Sequence, residues 1–149
     1  MNGRAARRAG LAISAVTSVL LLADAVTHVA RIAPVRTAMS DLGFDQNAAV
    51  VIGILEIACL VLYLTPRTAV LGVVLFTAYF GGALCANFRV DKPLWSTVLF
   101  PVYVAIALWA GVWLRDEKLR SVVPVHRREP SIELTATSSA GHEPADALA

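Results

Sequence analysis

Four predominantly apolar stretches, each about as long as a bilayer's hydrocarbon core is thick, constrain this chain before any motif does. They run from Gly10 to Val29, Ala48 to Leu64, Thr68 to Ala86 and Leu94 to Leu114. Lipid offers no water to exposed backbone groups, so such stretches fold as helices. Composition agrees: 57% of the 149 residues are hydrophobic and 16% are charged, outside the ordinary range of soluble domains. The expected fold is all-α, an integral membrane four-helix bundle at residues 10–123. A basic cytoplasmic segment, residues 1–9, precedes it. A polar tail at 124–149, rich in Ser, Thr, Glu and Pro, follows it and is expected to be disordered.

Orientation follows from where Lys and Arg fall. With both termini cytoplasmic, the inner side carries nine: Arg4, Arg7, Arg8, Arg67, Arg115, Lys118, Arg120, Arg127 and Arg128. The outer side carries four: Arg31, Arg36, Arg89 and Lys92. Trp95 and Trp113 stand near opposite ends of the fourth stretch, where interfacial anchors belong. Thr65-Pro66-Arg67-Thr68 is a tight turn that makes the second and third helices antiparallel neighbours, with Thr65 expected to cap the third helix and Pro66 to open it. In the long connection before the second stretch, Val35, Ala38, Met39 and Leu42 recur at helical spacing after Pro34 and end at Gly43. This predicts a short amphipathic helix over the bundle or in the interface. A rival reading takes the first stretch as a signal peptide cleaved after Ala23-Asp24-Ala25. Apolar character continuing to Val29, and an acid inside the triplet, argue against it.

The polar residues inside these stretches carry the functional information. Glu56 lies near the middle of the second, where an ionisable group costs at least ~2.5 kcal/mol unless paired or neutralised. Asp24 and His28, four residues apart, share a helix face and continue a seam through Ser14, Thr17 and Leu21. At 1.5 Å rise per residue, Glu56 falls near the midplane, Tyr79 slightly outward and Asp24 roughly 7 Å outward. A pocket opening to the outer face is expected, lined by Asp24, His28, Glu56 and Tyr79 and roofed by Asn87, Arg89 and Trp95. These are the candidates for ligand or proton binding; the same groups can equally serve as hydrogen bonds that only hold helices together. Gly72, Gly81 and Gly82 are the expected helix-packing glycines.

Other chemistry is excluded. One intramembrane histidine does not make a bis-histidine haem, and no His/Cys spacing points to a metal. There is no P-loop, G-x-S-x-G or dinucleotide fingerprint. Cys59 and Cys85 are separated in depth by roughly 15 Å on these helix assignments, too far for a disulfide. No basic stripe with interleaved aromatics marks a nucleic-acid surface.

Gly53-Ile54-Leu55-Glu56-Ile57-Ala58, Leu62-Tyr63-Leu64-Thr65-Pro66-Arg67-Thr68-Ala69-Val70-Leu71-Gly72, Tyr79-Phe80-Gly81-Gly82-Ala83 and Arg89-Val90 together resemble the DoxX-like family of small bacterial membrane proteins. Trp113-Leu114-Arg115-Asp116 with Leu119-Arg120 is similar to that family too. The resemblance implies a four-helix bundle crossing the bacterial cytoplasmic membrane several times. Its branches are associated with quinone reduction linked to sulfur-compound oxidation, with an oxidoreductase complex for redox stress, and, in animals, with chaperoning of receptors. Many relatives carry His-x-Arg where this chain has Asn87-Phe88-Arg89, and often Lys where it has His28. The expectation is an accessory or interaction subunit, not an enzyme on its own, with a lipid or quinone pocket in its outer half. Its partners would be membrane lipids and other membrane or redox proteins, with homo-oligomerisation left open. The alternatives are a membrane subunit of a quinone-linked oxidoreductase, using Glu56 and Asp24 as proton relays, and a proton-coupled carrier of small solutes. Apart from a quinone, no cofactor is implied.

Overall fold

The computed structural model describes residues 3–45 and 47–122, which are helical with no strand. In chain order the helices are α1 (Gly3–Ala30), α2 (Ala33–Asp41), α3 (Ala48–Leu64), α4 (Ala69–Arg89), a π-helical turn (Leu94–Val98), α5 (Phe100–Arg115) and α6 (Glu117–Val122). The tail expected from residue 124 lies outside the described residues.

Helix α1 starts well before Gly10. The Arg4-to-Arg8 segment is its first turns, because Ala and Arg are strong helix formers and nothing breaks the run. Ala6 on this extension and Gly10 just after it are buried, and a Cβ on Gly10 would fall 2.8 Å from the Arg115 backbone nitrogen at the end of α5. The fourth apolar stretch is divided. Pro101 has no N–H for the Thr97 carbonyl, and its ring would crowd that group in a continuous α-helix. The chain instead widens: Val98 and Leu99 donate to the carbonyls five residues back, Pro93 and Leu94, at 3.2 and 2.9 Å. Helix α5 then starts with Pro101 in its first turn.

The Thr65–Thr68 turn differs from the expected cap. Helix α4 begins at Ala69, and both threonine hydroxyls turn back to the end of α3. Thr65 donates to the Val61 carbonyl at 2.8 Å and Thr68 to the Leu62 carbonyl at 2.9 Å. They serve the orphan acceptors at a helix C-terminus rather than the donors of the next helix.

Helix α1 packs on α3 and α5, α3 on α4, and α4 on α5. Contacts pair residues in opposing order, Gly53 with Val29 but Tyr63 with Ser14, so α1 and α3 run antiparallel. Tyr63, Val73, Phe76, Leu108 and Val112 form the centre of the core. The outer flanks are as apolar as the interior: Val16, Val19, Ile54, Leu55, Val61, Leu71, Val74 and Ile106 are all exposed. A water-soluble monomer rarely shows so continuous an apolar surface. Helices α1 and α4, and the π-turn together with α5, are long and apolar enough to cross a membrane. Helix α3, at 17 residues, extends about 25 Å and reaches the short end of the range for a span.

Helix α2 closes one end. Its Val35 and Met39, with Leu42 just beyond, pack on Ala49 and against Ile52, Ala86 and Val90. Arg89 and Lys92 at the end of α4 hold its C-terminus, donating to the Leu42 carbonyl at 2.6 Å and to the Asp41 carboxylate at 2.8 Å. Gly43 makes the exit turn at φ +74°, a conformation open to glycine at little cost.

Candidate functional site

The site begins where α1 and α3 come closest. A Cβ on Gly53 would lie 2.8 Å from both the Ala25 carbonyl oxygen and a Val29 methyl group. That approach leaves no gap for water, and one turn along α3 it holds Glu56 against α1 at the level of Asp24 and His28. One ligand atom from each of these three side chains lies within 4.8 Å of the others.

Their environments differ sharply. Glu56 is 0% exposed, and neither of its oxygens has a hydrogen-bond partner among the described residues. Tyr79 on α4 is the hydroxyl that interacts with it, at a geometry short of a hydrogen bond. The Asp24 side chain is 54% exposed and that of His28 14%. His28 Nδ1 lies 3.0 Å from the Asp24 carbonyl oxygen and 3.5 Å from its carboxylate. Thr27 also donates to that carbonyl, at 2.8 Å. The imidazole is thus steered by the turn of α1 beneath it.

Beside this cluster is a half-open cavity of ≈ 780 Å³. Asp24, His28, Tyr79 and Asn87 supply polar groups to its wall, and the rest is chiefly aliphatic and aromatic, including Leu21, Phe80, Phe100 and Tyr103. Glu56 stands behind Asp24 and His28 rather than in the wall. Asn87 spends one donor on the Ala83 carbonyl at 2.9 Å. The expected roof is differently built. Arg89 is committed to the Leu42 carbonyl. Trp95, 75% exposed, lies away from the described lining. Ala38, Met39 and Leu42, from α2 and its end, cover the cavity instead. Rise per residue gives position along a helix and not direction around it, and neither Arg89 nor Trp95 is among the residues that line this cavity.

The glycines divide as well. Gly72 does pack: a Cβ there would fall on the Tyr63 backbone. Among the described residues Gly81 and Gly82 have nothing within 4 Å of a Cβ position, so they bring no described helices together, and Gly82 borders the cavity. Gly10, Gly53 and Gly111 make the other close approaches.

A second polar group, at the opposite end of the helices, is built around Tyr63. Its hydroxyl donates to Ser14 Oγ at 2.9 Å, with the Leu108 carbonyl a longer alternative acceptor at 3.4 Å. Arg115 donates to the Tyr63 carbonyl at 2.8 Å and lies 4.7 Å over its ring. Ser14 was marked by the α1 polar seam, whereas the sequence shows Arg115 only as one more basic residue. This group joins α1, α3 and α5.

The DoxX-like family model matches residues 12–111, a stretch that contains the whole Asp24–His28–Glu56 cluster and its cavity. No curated protein and no solved structure matches the chain.

Proposed function

We propose that this chain, which belongs to the DoxX-like family, is a multi-pass accessory subunit of the bacterial cytoplasmic membrane that holds an amphiphile, a lipid or a quinone. In this reading α1, α3, α4 and the π-turn with α5 form a four-helix bundle with both termini cytoplasmic. The apolar flanks face acyl chains, and nine of thirteen basic residues fall on the inner side. Helix α2 caps the outer end.

The observation that carries the reading is the cavity: ≈ 780 Å³, within the usual size range of small-molecule pockets. Asp24 and His28 on α1 with Tyr79 and Asn87 on α4 bring its polar groups, and most of the remaining wall is apolar. That asymmetry fits a polar head with an apolar tail. Phe80, Phe100, Tyr79 and Tyr103 in the wall also suit a flat ring. They favour, as a second reading, a quinone-linked oxidoreductase complex in which this chain is a membrane subunit.

Native mass spectrometry of protein released from mild detergent tests the proposal. The expected spectrum carries one retained lipid or quinone per chain, lost in Ala83→Trp, which fills the cavity from α4 while helical circular dichroism stays unchanged. A wild-type protein that flies bare, or an Ala83→Trp variant that keeps the adduct, refutes it. Co-purification of a cofactor-bearing partner chain selects the oxidoreductase reading.

A further inference from the structure

Glu56 sets an electrostatic problem that a cavity ligand does not solve. Its carboxylate is shut off from solvent with both oxygens unbonded. The groups that face it are Asp24 and His28 from α1 and Tyr79 from α4, with Cys59 on its own helix. None of these is a fixed cation. A carboxyl so isolated is relieved either by keeping its own proton or by positive charge brought in from outside, and the second route needs ligands beside it.

We propose that Asp24, His28 and Glu56 form a binding site for one first-row divalent cation, with Zn²⁺ the best fit. Two carboxylates and one neutral imidazole around a dication make a complex with no net charge, the state that low-dielectric surroundings favour. Ligand atoms around tetrahedral zinc, at about 2.0–2.1 Å from the metal, lie roughly 3.3 Å from one another. The three side chains start within 4.8 Å, so a contraction of roughly 1.5 Å completes the site. Side-chain rotation of the half-exposed Asp24 and of the His28 ring can supply it, while Glu56 stays fixed by packing.

The donor set selects the metal. Mg²⁺ and Ca²⁺ take six or more oxygens, whereas imidazole with carboxylates suits zinc and its neighbours. Three protein ligands leave a fourth position open, as in zinc sites that bind water or a substrate. Because Asp24 and His28 also line the cavity, that position faces the space proposed to hold the amphiphile. Spacing along the sequence hides this site, because its ligands come from two helices and only Asp24 and His28 are near neighbours in the chain.

The test uses full-length protein with a tag free of histidine, purified in mild detergent, stripped with chelator and titrated with Zn²⁺ by calorimetry. Elemental analysis after gel filtration gives the stoichiometry. One zinc per chain is expected, with affinity lowered at least about tenfold in Glu56→Gln and in His28→Asn, and no comparable uptake of Mg²⁺. His126 and His142 are present in every variant, so any binding by them cancels in the comparison. X-ray absorption should show a nitrogen and oxygen shell without sulfur. Zinc retained equally by both variants, a shell containing Cys59 sulfur, or no zinc in the wild type would each overturn the site. Zinc-free protein carrying a lipid rejects only this inference, and zinc-loaded protein without an amphiphile rejects only the cavity's proposed occupant.

Discussion

Gly72→Ala tests the helix contacts most sharply, because the structure assigns it a sign opposite to that of its neighbours Gly81 and Gly82. A Cβ at position 72 would meet the Tyr63 Cα at 2.6 Å and the Leu62 carbonyl carbon at 2.8 Å. Both are backbone atoms and cannot rotate aside, and the Thr65–Thr68 turn leaves α3 and α4 little slack. The helices must move apart, loosening the edge-on Tyr63–Phe76 contact, whose ring centroids are 6.5 Å apart. Overpacking of this kind costs about 1–3 kcal/mol, partly offset by the ~1 kcal/mol that Ala gains over Gly in a helix. Because the atoms met are backbone, the upper part of that range applies, about 2–3 kcal/mol, and a net loss of about 1–2 kcal/mol is expected. At Gly81 and Gly82 the space is open, leaving only the propensity term, so each Ala variant should be neutral or stabilised by up to about 1 kcal/mol. Cys59 is buried and Cys85 exposed, so in a Cys85→Ser background a thiol-reactive dye reports unfolding through Cys59. A Gly72→Ala protein that melts with the wild type, or equal destabilisation at all three positions, would refute the packing argument.

Tyr63→Phe and Ser14→Ala should be non-additive, with a coupling of about 0.6 kcal/mol and at most ~1.7, as for other hydrogen bonds between membrane helices; a double-mutant cycle in denaturant measures it, and full additivity would deny that the 2.9 Å bond contributes. Arg89→Gln removes the donor to the Leu42 carbonyl, so amide exchange should accelerate in Met39–Phe44 while α3 and α5 keep their protection; unchanged exchange in α2 would show that apolar packing alone holds it. Lys92→Gln breaks a half-exposed pair with Asp41 and should shift stability by less than about 1 kcal/mol, visible as an almost unmoved thermal transition; a larger shift would mean the pair is shielded from water.

The sequence made helix positions along the chain easy to see and their facing hard. Pro34 followed by the Val35, Ala38, Met39 and Leu42 spacing announces α2, and the structure has it at Ala33–Asp41. The polar seam of α1 is real in part: Ser14, Thr17 and Leu21 are buried, while Asp24 turns to the cavity. Depth follows from the rise per residue, but direction around an apolar helix has no comparable signal when lipid-facing and core residues are equally hydrophobic. That is why Arg89 and Trp95 were expected over the cavity, and why Gly81 and Gly82 were expected to pack where Gly10, Gly53 and Gly111 do. The π-helical turn has its cause in Pro101 inside an apolar run, and hydropathy does not register a missing backbone donor. The Tyr63–Arg115 group had no local signature, since its members are 52 residues apart.

In the proposed arrangement the apolar flanks face acyl chains while the Asp24 carboxylate faces a cavity. Nitroxides placed singly at Val19, Ile54, Leu71 and Asp24, in a cysteine-free background reconstituted in bilayers, test it through collisions with oxygen and with a water-soluble nickel chelate. Labels at 19, 54 and 71 should collide far more with oxygen, and the label at 24 with the chelate. Chelate access at 54 or 71, or a label at 24 that sees only oxygen, would contradict it.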